Sequence, residues 1–203
     1  SAASDVYKRQ TKLLHKQNVL LYREESVVSE EFKYIDFFMP GVIGMSVMTV
    51  SIYGTLFRNT KYREMGILRK LATTPLKRSE WILSKMLFMT FISFVSTASI
   101  LIVGIGVFHV QVFINCYMLI IIVSASFVFA GMAMIISRFV KEEESADTAA
   151  GAITFPMMFL TGTFFPLEMM PSYLAKIAKF LPLYYVNEGL RAAMIYGKWE
   201  DAM

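Results

Sequence analysis

The stretch RNTKYREMGILRKLATTPLKRSEWILSK, residues 58–85, decides the fold because it is basic and lies between two long uncharged runs. It contains eight Lys or Arg residues and two acidic residues. Basic residues beside apolar spans concentrate on the cytoplasmic side of a membrane. The stretch therefore predicts a cytoplasmic loop with membrane-spanning helices on both sides of it.

The composition of the whole chain agrees with a membrane protein. Hydrophobic residues make up 56% and charged residues 18%, against about half and about a quarter in soluble domains. The net charge of +4 comes mainly from loops beside apolar runs, so no nucleic-acid partner is predicted. A single Cys116 cannot form an internal disulfide, and His15 and His109 have no companion ligands nearby, so we predict no metal or cofactor in this chain.

The apolar runs predict four membrane-spanning helices. Phe37–Phe57 is uncharged and close in length to the roughly 30 Å of a hydrocarbon core. The uncharged run from Met86 to Ser137 is long enough for two helices that turn near His109. A shorter span follows, in which Pro156 is expected to kink the helix. The predicted spans are 37–57, 86–108, 112–136 and 148–165.

Three segments flank these spans. Residues 1–10 are predicted to be a leader foreign to the rest of the chain, and residues 11–36 the end of an extracytoplasmic segment. Residues 166–203 predict two amphipathic helices on the outer side, because apolar positions Leu174, Ile177, Ala178 and Leu181 repeat at helical spacing. With both termini outside, we expect a fragment that lacks one span at each end.

The basic stretch itself predicts two helices. Over Lys61–Ala72, an apolar side would contain Met65, Leu68 and Leu71. Thr74 followed by Pro75 predicts the start of a second helix that runs through Trp81 toward Lys85. The pattern alone leaves two interpretations open, a surface that binds anionic lipid and a surface that binds a protein partner.

The order of these features resembles the ABC-2 type exporter permeases, the membrane subunits of a class of ATP-binding cassette transporters. Residues that match the loop after the second span of that family are Arg63, Glu64, Gly66, Leu68, Leu71 and Pro75, while Ile67 departs from a common threonine. A Pro-Gly pair opens the second span, as Pro40 and Gly41 do here. The family's outer hairpin is matched by Pro166, Pro171, Pro182 and Arg191.

The resemblance implies an all-α helical bundle with four of six expected spans present, located in the plasma membrane of a bacterium. It implies export driven by ATP hydrolysis on a separate cassette subunit, which would bind ATP and Mg, and pairing with a second permease subunit that is identical or related. This chain has no GxxxxGK[ST] phosphate loop. The expected coupling residues are Arg63, Glu64, Met65, Gly66, Leu68, Arg69, Leu71 and Pro75.

Several alternatives remain open on the sequence. A non-transporting membrane anchor or assembly protein would share the basic loop. A membrane-embedded enzyme is disfavoured, because intramembrane hydroxyls such as Ser93 and Ser124 have no ionisable partner at the same depth. Glu188 and Arg191 could brace an outer gate or cap the end of their helix. Pro40, Gly41 and Pro156 are expected to shape or pack helices rather than touch a substrate.

Overall fold

Helices form the secondary structure of the protein in a computed structural model, which describes residues 38–67, 70, 73, 75, 77–108, 114–140, 142–164 and 169–194. This part of the chain contains six helices: α1 (Phe38–Glu64), α2 (Arg78–Phe108), α3 (Cys116–Ile136), α4 (Glu143–Leu160), α5 (Ser172–Ala178) and α6 (Pro182–Met194). The described residues contain no strand. The predicted all-α fold is confirmed. The predicted leader 1–10 and the segment 11–36 lie outside the described residues.

Three of these helices, α1, α2 and α3, are long and apolar enough to cross a membrane. The helices α2 and α3 end at Phe108 and Ile136, where the second and third predicted spans end. Both α1 and α2 extend beyond the predicted spans into the basic stretch 58–85. Helix α1 continues to Glu64, and helix α2 begins as early as Arg78. The turn predicted near His109 lies outside the described residues.

The fourth predicted span differs from the helix that the structure contains. Helix α4 begins at Glu143 and ends at Leu160, so it is shifted by five residues toward the N-terminus relative to residues 148–165. Its first turns carry the acidic residues Glu143, Glu144 and Asp147. The apolar remainder, residues 148–160, would be about 20 Å long at 1.5 Å per residue, which is shorter than a bilayer core. The helix continues through Pro156.

Helix α1 lies at the centre of the bundle. Of its most apolar 18-residue window, 56% is buried, against 22% for α2 and 33% for α3. The side chains of Ile43, Val47, Ile52 and Leu56 are completely buried. They recur at helical spacing, so that α1 presents apolar side chains to its neighbours along most of its length.

Helix α2 packs on α1 through small polar residues and turns a large apolar surface outward. Ser46 Oγ lies 2.6 Å from Ser96 Oγ, and Ser51 Oγ lies 3.4 Å from Ser93 Oγ. Small hydroxyl residues let two helices approach closely in a membrane and satisfy each other's hydrogen-bonding groups. The outward surface, which includes Phe91 at 63% exposure, suits contact with lipid chains.

The two predicted outer helices differ in character. Helix α5 packs on α4 and leaves Tyr173 and Ile177 exposed. Helix α6 packs on α3 and contributes Leu183, Leu190 and Met194 to the core. The side of α6 that faces the bundle is therefore buried more deeply than the apolar side of a helix that lies at a membrane interface. A proline marks the start of each helix. Pro171 immediately precedes α5, and Pro182 is the first residue of α6.

Candidate functional site

The end of the bundle that carries residues 58–85, hereafter the basic end, joins the last turn of α1 to the first turn of α4. Arg63 Nη1 donates a hydrogen bond to the Val140 carbonyl oxygen at 2.9 Å. The Glu143 backbone N–H donates to Glu64 Oε1 at 2.8 Å. Glu64 thereby satisfies an N–H group that the first turn of a helix leaves without an intrahelical partner, and its charge complements the helix dipole.

Two further contacts hold the same helix ends together. Lys61 Nζ lies 3.6 Å from Glu143 Oε1, and the two side chains are 41% and 33% exposed, so this ion pair contributes no more than about 1 kcal/mol. Asn59 is buried and donates from Nδ2 at 3.2 Å to the Oγ atom of Ser137, the residue that caps the end of α3, so this contact ties α1 to the segment that leads into α4. We refer to one set of residues as the α1–α4 junction: Asn59, Lys61, Arg63, Glu64, Ser137, Val140 and Glu143.

Replacing Glu64 with alanine is expected to lower the free energy of unfolding by about 1 kcal/mol, because the Glu143 N–H loses a charged acceptor. Glu64→Gln keeps an acceptor oxygen and should recover part of that loss. A urea titration of the purified protein in detergent, followed by circular dichroism, measures both. The control is Glu144→Ala, since Glu144 is an exposed residue in the same first turn. Equal losses for Glu64→Ala and the control would contradict the assigned role.

The predicted helix over Lys61–Ala72 is interrupted at Gly66. The chain is helical again at Ile67 and Lys70, where the Lys70 N–H donates to the Gly66 carbonyl at 3.3 Å, and residues 68, 69, 71 and 72 lie outside the described residues. Helix α1 ends at Glu64, and Gly66 has a φ of +66°. The Met65 N–H donates to the Lys61 carbonyl and the Gly66 N–H to the Arg63 carbonyl, each at 3.0 Å. A glycine in the left-handed region is a common way to end a helix. Residues 61–64 therefore extend the membrane-spanning helix α1.

The predicted start of the next helix at Thr74 and Pro75 is wrong. Helix α2 begins at Arg78, and the exposed Pro75 lies in a bend before it. The Lys77 N–H donates to Glu80 Oε2 at 3.3 Å, and the Trp81 N–H donates to the Lys77 carbonyl at 3.2 Å. The acidic residue at the third helical position thus closes the first turn, as in the reciprocal half of a capping box.

The other predicted coupling residues divide into two groups. Met65 is 60% exposed at the basic end, beside Gly66. Leu68, Arg69 and Leu71 lie outside the described residues. The structure therefore brings Arg63 and Glu64 to the start of α4 and describes only Met65, Gly66 and Pro75 of the rest of the predicted surface.

The opposite end of the bundle holds a second group of polar contacts, centred on α6. The buried Arg191 donates from Nη2 to the Gly162 carbonyl oxygen and from Nη1 to Glu188 Oε1 at 3.1 Å. The fully buried Asn187 donates from Nδ2 to Thr163 Oγ1 at 2.9 Å. We refer to these residues as the α6 polar cluster: Thr161, Gly162, Thr163, Asn187, Glu188 and Arg191. The contact with Gly162 lies beyond the helix that carries Arg191, which favours a bracing role over a helix-end cap.

The first turns of α1 meet the α6 polar cluster at two glycines. A Cβ atom added at Gly41 would lie 3.0 Å from the Thr163 carbonyl oxygen. A Cβ atom added at Gly44 would overlap Asn187 Oδ1. Pro40 is buried in the first turn of α1, where a proline needs no N–H partner. Pro166, which the sequence predicted for the outer hairpin, lies outside the described residues.

Several residues of these two sites were not among the predicted ones. Asn187 lies four residues before Arg191 and on the same side of α6 as Leu183 and Leu190, and that spacing was the available signal. Asn59 has the equivalent signal, because it follows the buried Leu56 by three residues. The carbonyl oxygens of Val140 and Gly162 have no side-chain signature, so the sequence could not indicate them.

The helices and the surfaces they expose define a class of protein. Three apolar helices of spanning length with an outward apolar surface are typical of a multi-pass membrane protein. Within the described residues, no group of three or more His, Cys, Asp or Glu side chains is placed to hold a metal ion.

The chain belongs to the ABC-2 type transporter family, whose model matches residues 8–195. It is similar to ABC transporter G family member 20 of Dictyostelium discoideum, with 24% identity over 81% of the chain and 23% of that protein. It is similar to nodulation protein J of Rhizobium meliloti (strain 1021), with 24% identity over 80% of the chain and 62% of that protein. It is also similar to the probable multidrug ABC transporter permease YbhS of Escherichia coli (strain K12), with 21% identity over 79% of the chain and 43% of that protein.

These comparisons confirm the resemblance to ABC-2 permeases and the multi-pass membrane location, and the bacterial relatives indicate a plasma membrane. The chain spans less than two thirds of the length of each of these three relatives. Among solved structures, none matches the chain significantly. Members of the family are membrane transport subunits rather than catalytic ones.

Proposed function

We propose that this chain is the permease subunit of an exporter that uses ATP hydrolysis on a separate cassette subunit. In this proposal the basic end faces the cytoplasm, as the concentration of Lys and Arg in residues 58–85 favours. The cassette subunit binds ATP and Mg and docks on the segment after α1. A second permease subunit, identical or related, completes the pathway for the substrate.

The α1–α4 junction is the observation that supports this proposal most directly. Arg63 and Glu64 lie at the end of α1, immediately before Met65. Glu64 binds the first residue of α4, and Arg63 binds the Val140 carbonyl three residues before it. A force applied to the segment that begins at Met65 would act on α1 through the chain and on α4 through these contacts. Coupling therefore moves two helices together, and Glu64 acts by fastening α4 rather than by touching the cassette subunit.

Met65 is the described residue best placed to contact the cassette subunit. It is apolar and 60% exposed, and it follows the last residue of α1. Gly66, with its positive φ, directs the chain away from the axis of α1 at this point. Leu68, Arg69, Leu71 and the exposed Pro75 would complete the docking surface that the family resemblance implies.

The test of the proposed function is the substitution Met65→Asp in the native protein purified with its cassette subunit and placed in proteoliposomes. We expect the affinity for the cassette subunit to fall about tenfold or more, since burying a methionine contributes about 1.5–3 kcal/mol. Stimulation of ATP hydrolysis and ATP-dependent substrate movement should fall with it. Co-purification and ATPase rates measure these losses.

The matched control is Met169→Asp, because Met169 is 78% exposed and lies away from the basic end. It should leave both assays within about twofold of the native protein. Recovery of no cassette subunit with the native protein would favour the membrane anchor or assembly protein instead. If Met65→Asp still stimulates ATP hydrolysis fully, Met65 is not part of the docking site. The transport proposal is then tested separately, by ATP-dependent substrate movement with the native protein.

A further inference from the structure

A groove at the basic end lies between the last turns of α1 and the first turns of α2. It adjoins the α1–α4 junction at one contact, in which Lys85 Nζ donates to Asn59 Oδ1. It encloses about 250 Å³. Its lining contains two cations, three aromatic rings, two aliphatic hydroxyls and one methionine: Arg58, Lys85, Tyr62, Trp81, Phe88, Thr55, Ser84 and Met89. A groove of this size admits a headgroup-sized ligand but not a large substrate.

The two cations of the groove are held in place by aromatic rings and, for Lys85, by the Asn59 amide oxygen, rather than by acids. The Arg58 guanidinium carbon lies 4.2 Å from the centre of the Phe88 ring. Lys85 Nζ lies 3.8 Å from the centre of the Trp81 ring and 4.6 Å from that of Tyr62. Within the described part of the chain neither cation forms an ion pair, whereas Lys61 does. Two positive charges that line one groove without an acid between them favour an anionic ligand.

Thr55 supplies a second and independent indication of a ligand. Its side chain is 1% exposed and lines the groove, and its Oγ1 atom has no hydrogen-bond partner among the described residues. On the same helix, Thr49 and Thr60 each donate to the carbonyl oxygen four residues earlier. A buried hydroxyl without a partner is unfavourable by about 1–3 kcal/mol, so a ligand oxygen here would remove a penalty.

The surface next to the groove indicates what else the ligand carries. Phe88, Phe91 and Val95 lie on one side of α2 and are exposed by 40%, 63% and 50%. This apolar strip leads from the groove toward the middle of the span. Trp and Tyr beside Lys are typical of the level at which lipid headgroups lie. A ligand that places a phosphate at the two cations and acyl chains along the apolar strip is a phospholipid. A free anion would use only the cations.

We propose that this groove binds the phosphate of an anionic phospholipid, with Arg58 and Lys85 at the phosphate oxygens and Thr55 as a neutral donor. The acyl chains then follow Phe91 and Val95 along α2. The site lies where α1 and α2 enter the basic segment, so an occupied groove would fix the spacing of these two helix ends. This inference does not depend on the proposed partner or on the direction of transport.

The experiment titrates the native protein in detergent with short-chain phosphatidylglycerol, phosphatidylcholine and inorganic phosphate, with lipid retention followed by native mass spectrometry. We expect phosphatidylglycerol to bind tightest. Arg58→Gln combined with Lys85→Gln should weaken its binding about 30-fold, since each basic residue near an anionic lipid contributes about fivefold. Thr55→Val, which keeps the shape of the side chain, should weaken it about fivefold.

The control is Lys70→Gln combined with Lys77→Gln, because both lysines are exposed in the basic segment and neither lines the groove. It should weaken binding by about threefold at most. Losses as large as those of the groove variant would show general charge attraction and overturn the site. Unchanged binding in Thr55→Val and Arg58→Gln would overturn it as well, and these single variants do not disturb the contact between Lys85 and Asn59. Equal affinity for inorganic phosphate would replace the lipid with a free anion and reject the proposal.

Discussion

Gly44→Ala is expected to destabilise the protein by about 2–4 kcal/mol, although it adds a single methyl group. The added Cβ would overlap Asn187 Oδ1 and lie 3.5 Å from Val186 Cγ1. Asn187 is completely buried and donates to Thr163 Oγ1 at 2.9 Å. The amide cannot turn away without losing that hydrogen bond, and the buried Thr163 hydroxyl would then lose its donor.

Gly54→Ala is the matched control on the same helix. Its Cβ would meet the end of the flexible Met89 side chain, with Sδ at 2.9 Å, and that side chain can change rotamer. The loss should stay below about 1 kcal/mol, because alanine also favours a helix more than glycine does. Urea titration of both variants in detergent measures the difference.

A double variant tests the cause of the loss at Gly44. Asn187→Ala removes the amide that the new methyl group would strike, so adding Gly44→Ala to it should cost little further stability. If the two losses simply add, the collision with Asn187 is not their cause. The interpretation of the contact between α1 and α6 would then be wrong.

The spans were predictable because an uncharged run has few stable alternatives in a bilayer. The predicted ends at Phe108 and Ile136 coincide with the ends of α2 and α3. Helix α3 ends two residues before Arg138, where the apolar run meets its first basic residue. The same reasoning placed the start of α4 too late, because a helix can include acidic residues in its first turn, where the dipole favours them.

The predicted helix boundaries of the basic segment differ from the observed ones for local reasons that the sequence does contain. The apolar side over Lys61–Ala72 predicts one continuous helix, whereas Gly66 is a strong signal for the end of a helix, and α1 ends beside it. Thr74 with Pro75 predicts a helix start, whereas Lys77 with Glu80 three residues later marks the observed one. In both places the capping signal decided the boundary, and the amphipathic pattern did not.

The α6 polar cluster could not be predicted, because it depends on residues far apart in the chain. Gly44 and Asn187 meet only once α1 and α6 have packed, and the acceptor for Arg191 is the Gly162 backbone. Gly41 was expected to shape or pack a helix, but the sequence pattern does not indicate which helix packs against it.

The two clusters together fasten α1 and α4 at both of their ends. At the basic end, Arg63 and Glu64 bind the start of α4. At the opposite end, α6 contacts Gly44 of α1 and the turn that follows α4, through Asn187 and Arg191. A displacement of α1 and α4 at the basic end would therefore reach α6 as a movement of both helices. This arrangement suits the proposed coupling, in which the motor and the exit lie at opposite ends.

Arg191→Met should be the most damaging substitution on α6, with an expected loss of about 2–4 kcal/mol in the free energy of unfolding. Methionine keeps the apolar stem packed but donates nothing, so the Gly162 carbonyl loses a charged donor in a buried place. Arg191→Lys should recover less than half of the loss, because a single ammonium cannot reproduce a planar fork that reaches both Gly162 and Glu188.

The substitution Glu188→Gln distinguishes the stability contributed by the Glu188 carboxylate from that contributed by the Gly162 carbonyl, the other acceptor of Arg191. The Glu188 side chain is 49% exposed, and glutamine keeps an acceptor oxygen, so the loss should be no more than about 1 kcal/mol. Urea titration gives the order of the three variants, and ATP-dependent transport in proteoliposomes should fall in the same order if α6 carries the movement of α1 and α4. A loss for Glu188→Gln as large as that for Arg191→Met would mean that the ion pair, rather than the link to Gly162, holds α6. The bracing role would then belong to α6 alone, because the ion pair joins two residues of one helix.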